Sequence, residues 1–503
     1  MLGQTRRIHF VGIGGIGMSG IAELLANLGY AVSGSDARRS DVTARLEQAF
    51  GVAIFEGHAA SHVGDADVVV VSSAVRSSNP EIVAARERGI PVIPRAEMLA
   101  ELMRLRFSIA VAGSHGKTTT TSMIALVLER GGLDPTAVIG GRLSAFGSNA
   151  RLGRGEYMVA EADESDRSFL MLWPSIAVMT NIDLEHMETY GGGLADLQQA
   201  FLDFANKVPF YGAAVACVED QNLAAILPRV RRQVVTYGLD DPRAHIVGAG
   251  IELGAFGGRC QVYRRTRDGM ELLGRLELAV PGRHNLQNAL AAVAVAQRIG
   301  LDFPRVAAAL AGFHGAERRF EPHGEAGGVL VIDDYGHHPT EIAAVMAAAR
   351  ATLDRRIVVA FQPHRYSRTA HLLDAFGPAL AGADEIVLTD IYAAGEDPIP
   401  GVTVEALAEA IRTGSGRPVH VVKALKDVVP TLLTIVRPGD AVITLGAGSI
   451  GTLPKMLMQA LAEPVRRSPE GEGGGMAPAA ACPCCVSVCY PNRRRRPPPG
   501  RMP

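Results

Sequence analysis

The chain has 503 residues, 48% of them hydrophobic and 20% charged, which is too long for one compact domain and too apolar for a disordered chain. Lys and Arg total 50 against 52 Asp and Glu, a formal net charge of -2 that excludes a global attraction to nucleic acid or to an acidic membrane. One Trp and 5% aromatic residues leave little for stacking on bases.

No run approaches the ~20 apolar residues of a membrane span. The start, Met1–Arg7, has no signal-peptide apolar region. Cys482, Cys484, Cys485 and Cys489 crowd near the end and only Cys217 and Cys260 sit in the body, so no disulfide framework is indicated. The expectation is a soluble, cytoplasmic, multidomain protein with no nucleic-acid partner and no membrane insertion. Oligomeric state is not legible.

Three α/β blocks follow in order. The first, residues 1–100, opens with strand Ile8–Val11, a glycine loop and an apolar helix near Met18–Leu28, then strand Val68–Val71. The second, 101–314, opens with strand Ile109–Ala112, a second glycine loop and helix Thr119–Arg130. It continues through strands Met158–Glu161 and Ile176–Thr180, a β-hairpin between Ile251 and Val280, and helix Asn285–Arg298. The third, 315–462, carries strands Val329–Asp333, Ile357–Phe361 and Glu385–Leu388 with helices Pro339–Ala349 and Val404–Ile411. Alternating strands and helices predict parallel sheets covered on both faces: a Rossmann-like block, a P-loop-type block and a second Rossmann-like block. Residues 463–503, rich in Pro, Gly and Arg, are predicted to be a disordered tail.

The first loop, Gly12-Ile13-Gly14-Gly15-Ile16-Gly17, matches G-x-G-x-x-G between strand and helix. Gly14, Gly15 and Gly17 allow close backbone approach to a diphosphate at a helix N-terminus. Asp36 ends the next apolar stretch, where a carboxylate suits a ribose hydroxyl. NAD, FAD and a nucleotide sugar all satisfy this pattern. The second loop, Gly113-Ser114-His115-Gly116-Lys117-Thr118-Thr119, is a compressed phosphate loop, with Val111 where the longer pattern has glycine. Backbone amides cradle phosphates, Lys117 meets the β/γ oxygens and Thr118 offers a hydroxyl to Mg²⁺. Two phosphate sites in separate blocks call for a nucleotide-borne substrate and a phosphoryl donor.

Glu161-Ala162-Asp163-Glu164-Ser165-Asp166 ends a strand with clustered acids, a composition that suits a cation. Asn181–His186 ends the next strand, and His186 with its neighbouring acid points to a metal or phosphate role.

These segments resemble the Mur ligases of peptidoglycan synthesis. So do Pro281-Gly282-Arg283-His284-Asn285, Asp333–Glu341 and Phe361–Thr369, and the resemblance runs from about Arg7 to Leu461. It implies ATP-dependent joining of L-alanine to the lactyl carboxylate of UDP-N-acetylmuramate through an acyl phosphate. It implies Thr118, Glu161 and His186 as ligands of Mg²⁺, or of Mn²⁺, and Asn285 and Asn288 beside adenine. His58, Ser72 and Ser73 then lie near the UDP group, with Gly14, Gly15, Gly17 and Asp36. Tyr335, His337 and Arg368 face the reacting groups on the amino-acid side. Lys117, His337 and Arg368 are the implied catalytic residues, with His337 or His338 meeting the amine.

Departures from the family pattern are Ser114 in place of Thr and Glu185 in place of Asp. The interval from Lys117 to Lys207 also lacks the lysine that several members carbamoylate. The alternatives are a ligase that joins a preformed peptide to the same sugar nucleotide and, from another class, a nicotinamide dehydrogenase built on the first loop.

Overall fold

The computed structural model describes residues 2–72, 74–143, 148–184, 189–254, 257–315 and 318–462. Ser73, Glu185, His186 and the segment from 463 onward lie outside them.

The first sheet joins β1 (Arg7–Val11), β2 (Ala31–Asp36), β3 (Ala53–Glu56), β4 (Val68–Val71) and β5 (Val92–Pro94) in the order β3-β2-β1-β4-β5, all parallel. Strands buried on both faces read as unbroken apolar runs, as Val68–Val71 does. Helix Arg95–Met103 carries the chain into the second sheet.

That sheet contains β6 (Phe107–Ala112), β7 (Thr136–Leu143), β8 (Ser148–Arg151), β9 (Tyr157–Glu161), β10 (Ile176–Met179), β11 (Ala213–Cys217), β12 (Val234–Leu239), β13 (Ile246–Gly254), β14 (Gly257–Thr266) and β15 (Gly269–Leu278). Its order is β15-β14-β13-β12-β11-β10-β6-β9-β7-β8. The sheet is mixed: β7, β9, β6, β10, β11, β12 and β13 run parallel, whereas β8 pairs antiparallel with β7, and β14 with both β13 and β15. The single hairpin expected between Ile251 and Val280 is a pair of consecutive antiparallel hairpins, β13–β14 and β14–β15. Short turns between successive strands permit only antiparallel pairing; a parallel neighbour needs a long crossover.

The third sheet has β16 (Glu321–Ala326), β17 (Val329–Asp334), β18 (Ile357–Phe361), β19 (Glu385–Leu388), β20 (Val419–Val421) and β21 (Ala441–Leu445), ordered β16-β17-β21-β18-β19-β20. Only β16 is antiparallel. Alternate residues supply its two faces: Ile332, Ile443 and Phe361 join one core, Val331, Val442 and Val358 the other. One continuous core spans the first two sheets. The architecture is therefore three α/β layers, with β10, β6 and β9 side by side so that their C-terminal ends meet.

Candidate active site

The first glycine loop turns between β1 and helix Ile16–Asn27. Its start is fixed by the amides of Gly12 and Ile13, which donate to the Ser35 carbonyl at 2.8 and 3.0 Å. Gly14 donates its amide to Asp36 Oδ2 at 2.8 Å, and a Cβ on Gly14 would meet that same oxygen at 2.9 Å. Asp36 thus braces the loop with one oxygen. Ser72 stands beside Gly12, close enough that a Cβ there would touch it. A Cβ on Gly17 would meet the guanidinium of Arg95 at 2.9 Å, and that guanidinium lies 3.9 Å from Asp163 on the second sheet. Arg95, which the sequence patterns did not single out, therefore links the first glycine loop to the acidic segment that follows β9.

The second loop leaves β6 and enters helix Lys117–Arg130. Gly113 has φ +143° and Gly116 φ +80°; side chains there would strike Thr180 and Asn288. The segment after β10 clamps the loop. The His115 amide donates to Asn181 Oδ1 at 2.8 Å, and the Thr180 hydroxyl donates to the His115 carbonyl at 2.6 Å. The Ser114 hydroxyl accepts the Asp183 amide at 2.8 Å, so the shorter residue keeps a bonded oxygen.

Lys117 Nζ donates to the carbonyls of Gly113 and Ser114 at 2.6 and 3.2 Å and to Glu164 Oε1 at 2.8 Å. Burial pulls the Lys117 pKa down, but Glu164, Asp163 and Glu161 outweigh it and hold the ammonium above its ordinary value. Burial raises the pKa of Glu164 despite Lys117, and its Oε2 is buried with no hydrogen-bond partner. Thr118 donates its hydroxyl to Glu161 Oε2 at 2.9 Å. Two hard oxygen donors next to an orphaned carboxylate oxygen fit a divalent cation of the Mg²⁺ class.

The third layer covers this loop. The Thr340 hydroxyl donates to Asp183 Oδ2 at 2.8 Å, and His115 Nε2 lies 3.0 Å from the same oxygen. His115, Asp183 and His338 offer ligand atoms within 4.8 Å of one another. However, His338 Nδ1 accepts the Thr340 amide at 3.3 Å as the helix cap, which leaves the proton of the neutral ring on Nε2. Asp183, His115 and Thr340 thus form a hydrogen-bonded seam between the second and third blocks, with the His338 ring tilted beside that of His115. Beneath it a cavity of about 410 Å³ is lined by His115, Asn285, Asn288, Tyr237, Arg319 and Asp334, among others. Burial, then Arg319, lowers the His284 pKa to about 4, so its ring is neutral.

Tyr335, His337 and Arg368 are brought together through His364. The rings of His337 and His364 are 5.3 Å apart, and Arg368 reaches His364 Nδ1 at 3.3 Å. His337 Nδ1 lies 3.0 Å from the Tyr335 carbonyl and 3.5 Å from Glu341 Oε2, which keeps a proton on Nδ1. His364 is held to about 3, first by burial and then by its cationic neighbours. Glu164, Asp183, Thr340 and His364 all lie inside motifs legible in the sequence, but each meets a partner from another segment of the chain, and only the fold brings the two together.

The sequence models of the Mur ligase family match in three stretches: "Mur ligase family, catalytic domain" over residues 7–107, "Mur ligase middle domain" over 111–296 and "Mur ligase, glutamate ligase domain" over 318–448. A relative from Syntrophus aciditrophicus named UDP-N-acetylmuramate–L-alanine ligase is 53% identical, covering 92% of this chain and 94% of its own. One of the same name from Anaeromyxobacter is 56% identical over 89% of this chain and 96% of its own. The crystal structure of a UDP-N-acetylmuramate-alanine ligase from Thermotoga maritima superposes with TM-score 0.77 at 31% identity, covering 90% of this chain and 98% of that one. A murein peptide ligase from Psychrobacter arcticus gives 0.69 at 26% identity over 92% and 100%. The chain belongs to the Mur ligase family of ATP-dependent, ADP-forming amide ligases.

Proposed function

We propose that the chain joins L-alanine to the lactyl carboxylate of UDP-N-acetylmuramate in peptidoglycan precursor synthesis, using ATP. The observation that carries this reading is a phosphate loop whose lysine is buried among carboxylates, one of which, Asp163, Arg95 links to the first glycine loop. It is supported by the relatives' names at 53% and 56% identity. Functionally, residues 1–100 take the UDP group, 101–314 ATP, and 315–462 the amino acid.

A carboxylate resists attack by an amine, so it is first phosphorylated. On ATP binding, Lys117 turns from the loop carbonyls and Glu164 to the β/γ oxygens and neutralises charge on the moving phosphoryl. Thr118 and Glu161, with His186, would hold a Mg²⁺ or Mn²⁺ ion, which would supply further positive charge for phosphoryl transfer. Asn285 and Asn288 line the cavity that suits adenine. The Thr340–Asp183 seam holds the third layer over the loop and keeps water from the acyl phosphate. His338 is committed as a helix cap, so His337 is the residue assigned to meet the amine of L-alanine. Arg368 holds the amino acid's carboxylate.

ATP and a UDP-sugar are cytoplasmic metabolites, and we place the reaction there. Among the described residues no helix is long and apolar enough to cross a membrane. The test is phosphate release with ATP and UDP-N-acetylmuramate, adding L-alanine or a preformed tripeptide. Release should follow L-alanine; release only with the tripeptide would move the chain to the peptide-joining branch, and release with neither would end the ligase reading.

A further inference from the structure

Behind the first glycine loop lies a polar cluster built on one carboxylate. Glu81, in the first turn of helix Pro80–Glu87, is fully buried. Its Oε2 accepts from the Ser35 hydroxyl at 2.6 Å and lies 3.4 Å from His9 Nε2. Its Oε1 accepts from the Ala59 amide at 3.2 Å and lies 2.9 Å from His62 Nδ1. His9 Nδ1 meets the Ser33 hydroxyl at 2.8 Å, which leaves Nε2–H for Glu81. Every neighbour thus presents a donor, a set that only an ionised carboxylate satisfies. Burial alone would raise the Glu81 pKa, but the hydrogen bonds from His9, Ser35 and His62 outweigh it and hold it at about 2.

The consequence reaches His58. Ser35 has given its proton to Glu81, so its oxygen can only accept from His58 Nδ1, 3.1 Å away. The same Nδ1 is 3.7 Å from Glu81 Oε1. His58 is therefore held with its proton on Nδ1. Its side chain is about a quarter exposed, and Nε2 makes no hydrogen bond among the described residues. Ser35 also carries the carbonyl that fixes Gly12 and Ile13, so the relay and the glycine loop share one residue.

We infer that Glu81 is a positioning residue for the sugar-nucleotide site: through Ser35 it locks the tautomer of His58, so that Nε2 accepts a hydrogen bond from a hydroxyl or imide N–H of the UDP group. A protonated ring would instead seek a phosphate. The inference rests on the reading of the first loop as the UDP site.

The test uses the full chain and compares Ser35→Ala, Glu81→Gln and His58→Ala. Ser35→Ala removes the relay while Glu81 keeps its other partners, so it reports even if Glu81→Gln fails to fold. The loss of one well-placed hydrogen bond predicts a rise of about tenfold in KM for UDP-N-acetylmuramate. KM for ATP and kcat should stay within about twofold, a split that a loss of stability alone would not produce. Long-range ¹H–¹⁵N spectra should show His58 protonated on Nδ1 in the wild type and as a tautomer mixture in Ser35→Ala. If His58→Ala raises that KM but Ser35→Ala changes neither KM nor tautomer, the relay is refuted while the UDP reading stands. If His58→Ala leaves the KM unchanged, the UDP reading of His58 falls, and the inference with it.

Discussion

Lys117→Ala should damage the protein in two separable ways. Lys117 and Glu164 form a close pair at 2.8 Å, with the Glu164 side chain only 2% exposed. Removing the ammonium leaves a carboxylate buried alone, and breaking such a pair costs about 3–5 kcal/mol. Glu164 already titrates above its ordinary 4.5 because of burial, and without Lys117 it rises further. In the variant the folded state then holds a proton that the unfolded chain releases. The penalty is therefore smallest near pH 4.5, grows as pH rises to the folded pKa and is flat above it. At pH 8 the thermal midpoint should fall by roughly 10 °C. Adding Glu164→Gln should restore most of this loss. It should not restore catalysis, because charge on the phosphoryl stays uncompensated; kcat should fall by about 10²–10³ or more in both variants. Calorimetry at two pH values and phosphate release read the two effects. A double variant no more stable than Lys117→Ala would refute the buried-pair account, and kcat within tenfold of wild type would refute the role of Lys117.

Three further outcomes are expected. Gly14→Val places carbon 2.9 Å or less from Asp36 Oδ2 and drives that carboxylate off the loop; KM for UDP-N-acetylmuramate should rise at least about tenfold with that for ATP nearly unchanged, and the reverse pattern would overturn the assignment of the two loops. Thr340→Val removes a hydrogen bond to Asp183 worth about 1 kcal/mol, so KM for ATP should rise about fivefold; an unchanged value would show that the seam does not hold the nucleotide site closed. Asp334 is raised to about 6 by burial, so its protonated folded form stabilises below the unfolded 3.8, and that stability is lost as pH rises through about 6. Asp334→Asn should remove this slope, roughly 3 kcal/mol across the window at 1.36 kcal/mol per unit, and identical midpoint-versus-pH profiles would contradict it.

The two glycine loops are legible in the sequence because their requirement is local: a positive φ or a close backbone approach admits few residues besides glycine, as at Gly113 and Gly116. The cluster Glu161–Glu164 is legible as a cation-binding composition. Its pairing with Lys117 is not, since Glu164 lies 47 residues away. The same holds for Thr340 and Asp183, 157 residues apart, and for Glu81, whose partners arrive from three separate stretches. Strands such as β11, Ala213–Cys217, escape periodicity because burial on both faces erases the alternation that marks a half-exposed strand. The antiparallel β13–β15 arm is legible through its turn signals, Gly257-Gly258 and Asp268-Gly269, whereas no such signal marks β8.

The central claim is that the lactyl carboxylate is phosphorylated before the amine attacks, and oxygen transfer tests it most directly. UDP-N-acetylmuramate labelled with ¹⁸O in its lactyl carboxylate should yield, with ATP and L-alanine, inorganic phosphate carrying one ¹⁸O per amide formed. Unlabelled phosphate together with normal amide formation would mean that no acyl phosphate forms, and would contradict the roles of Lys117, Thr118 and Glu161 in phosphoryl transfer to that carboxylate.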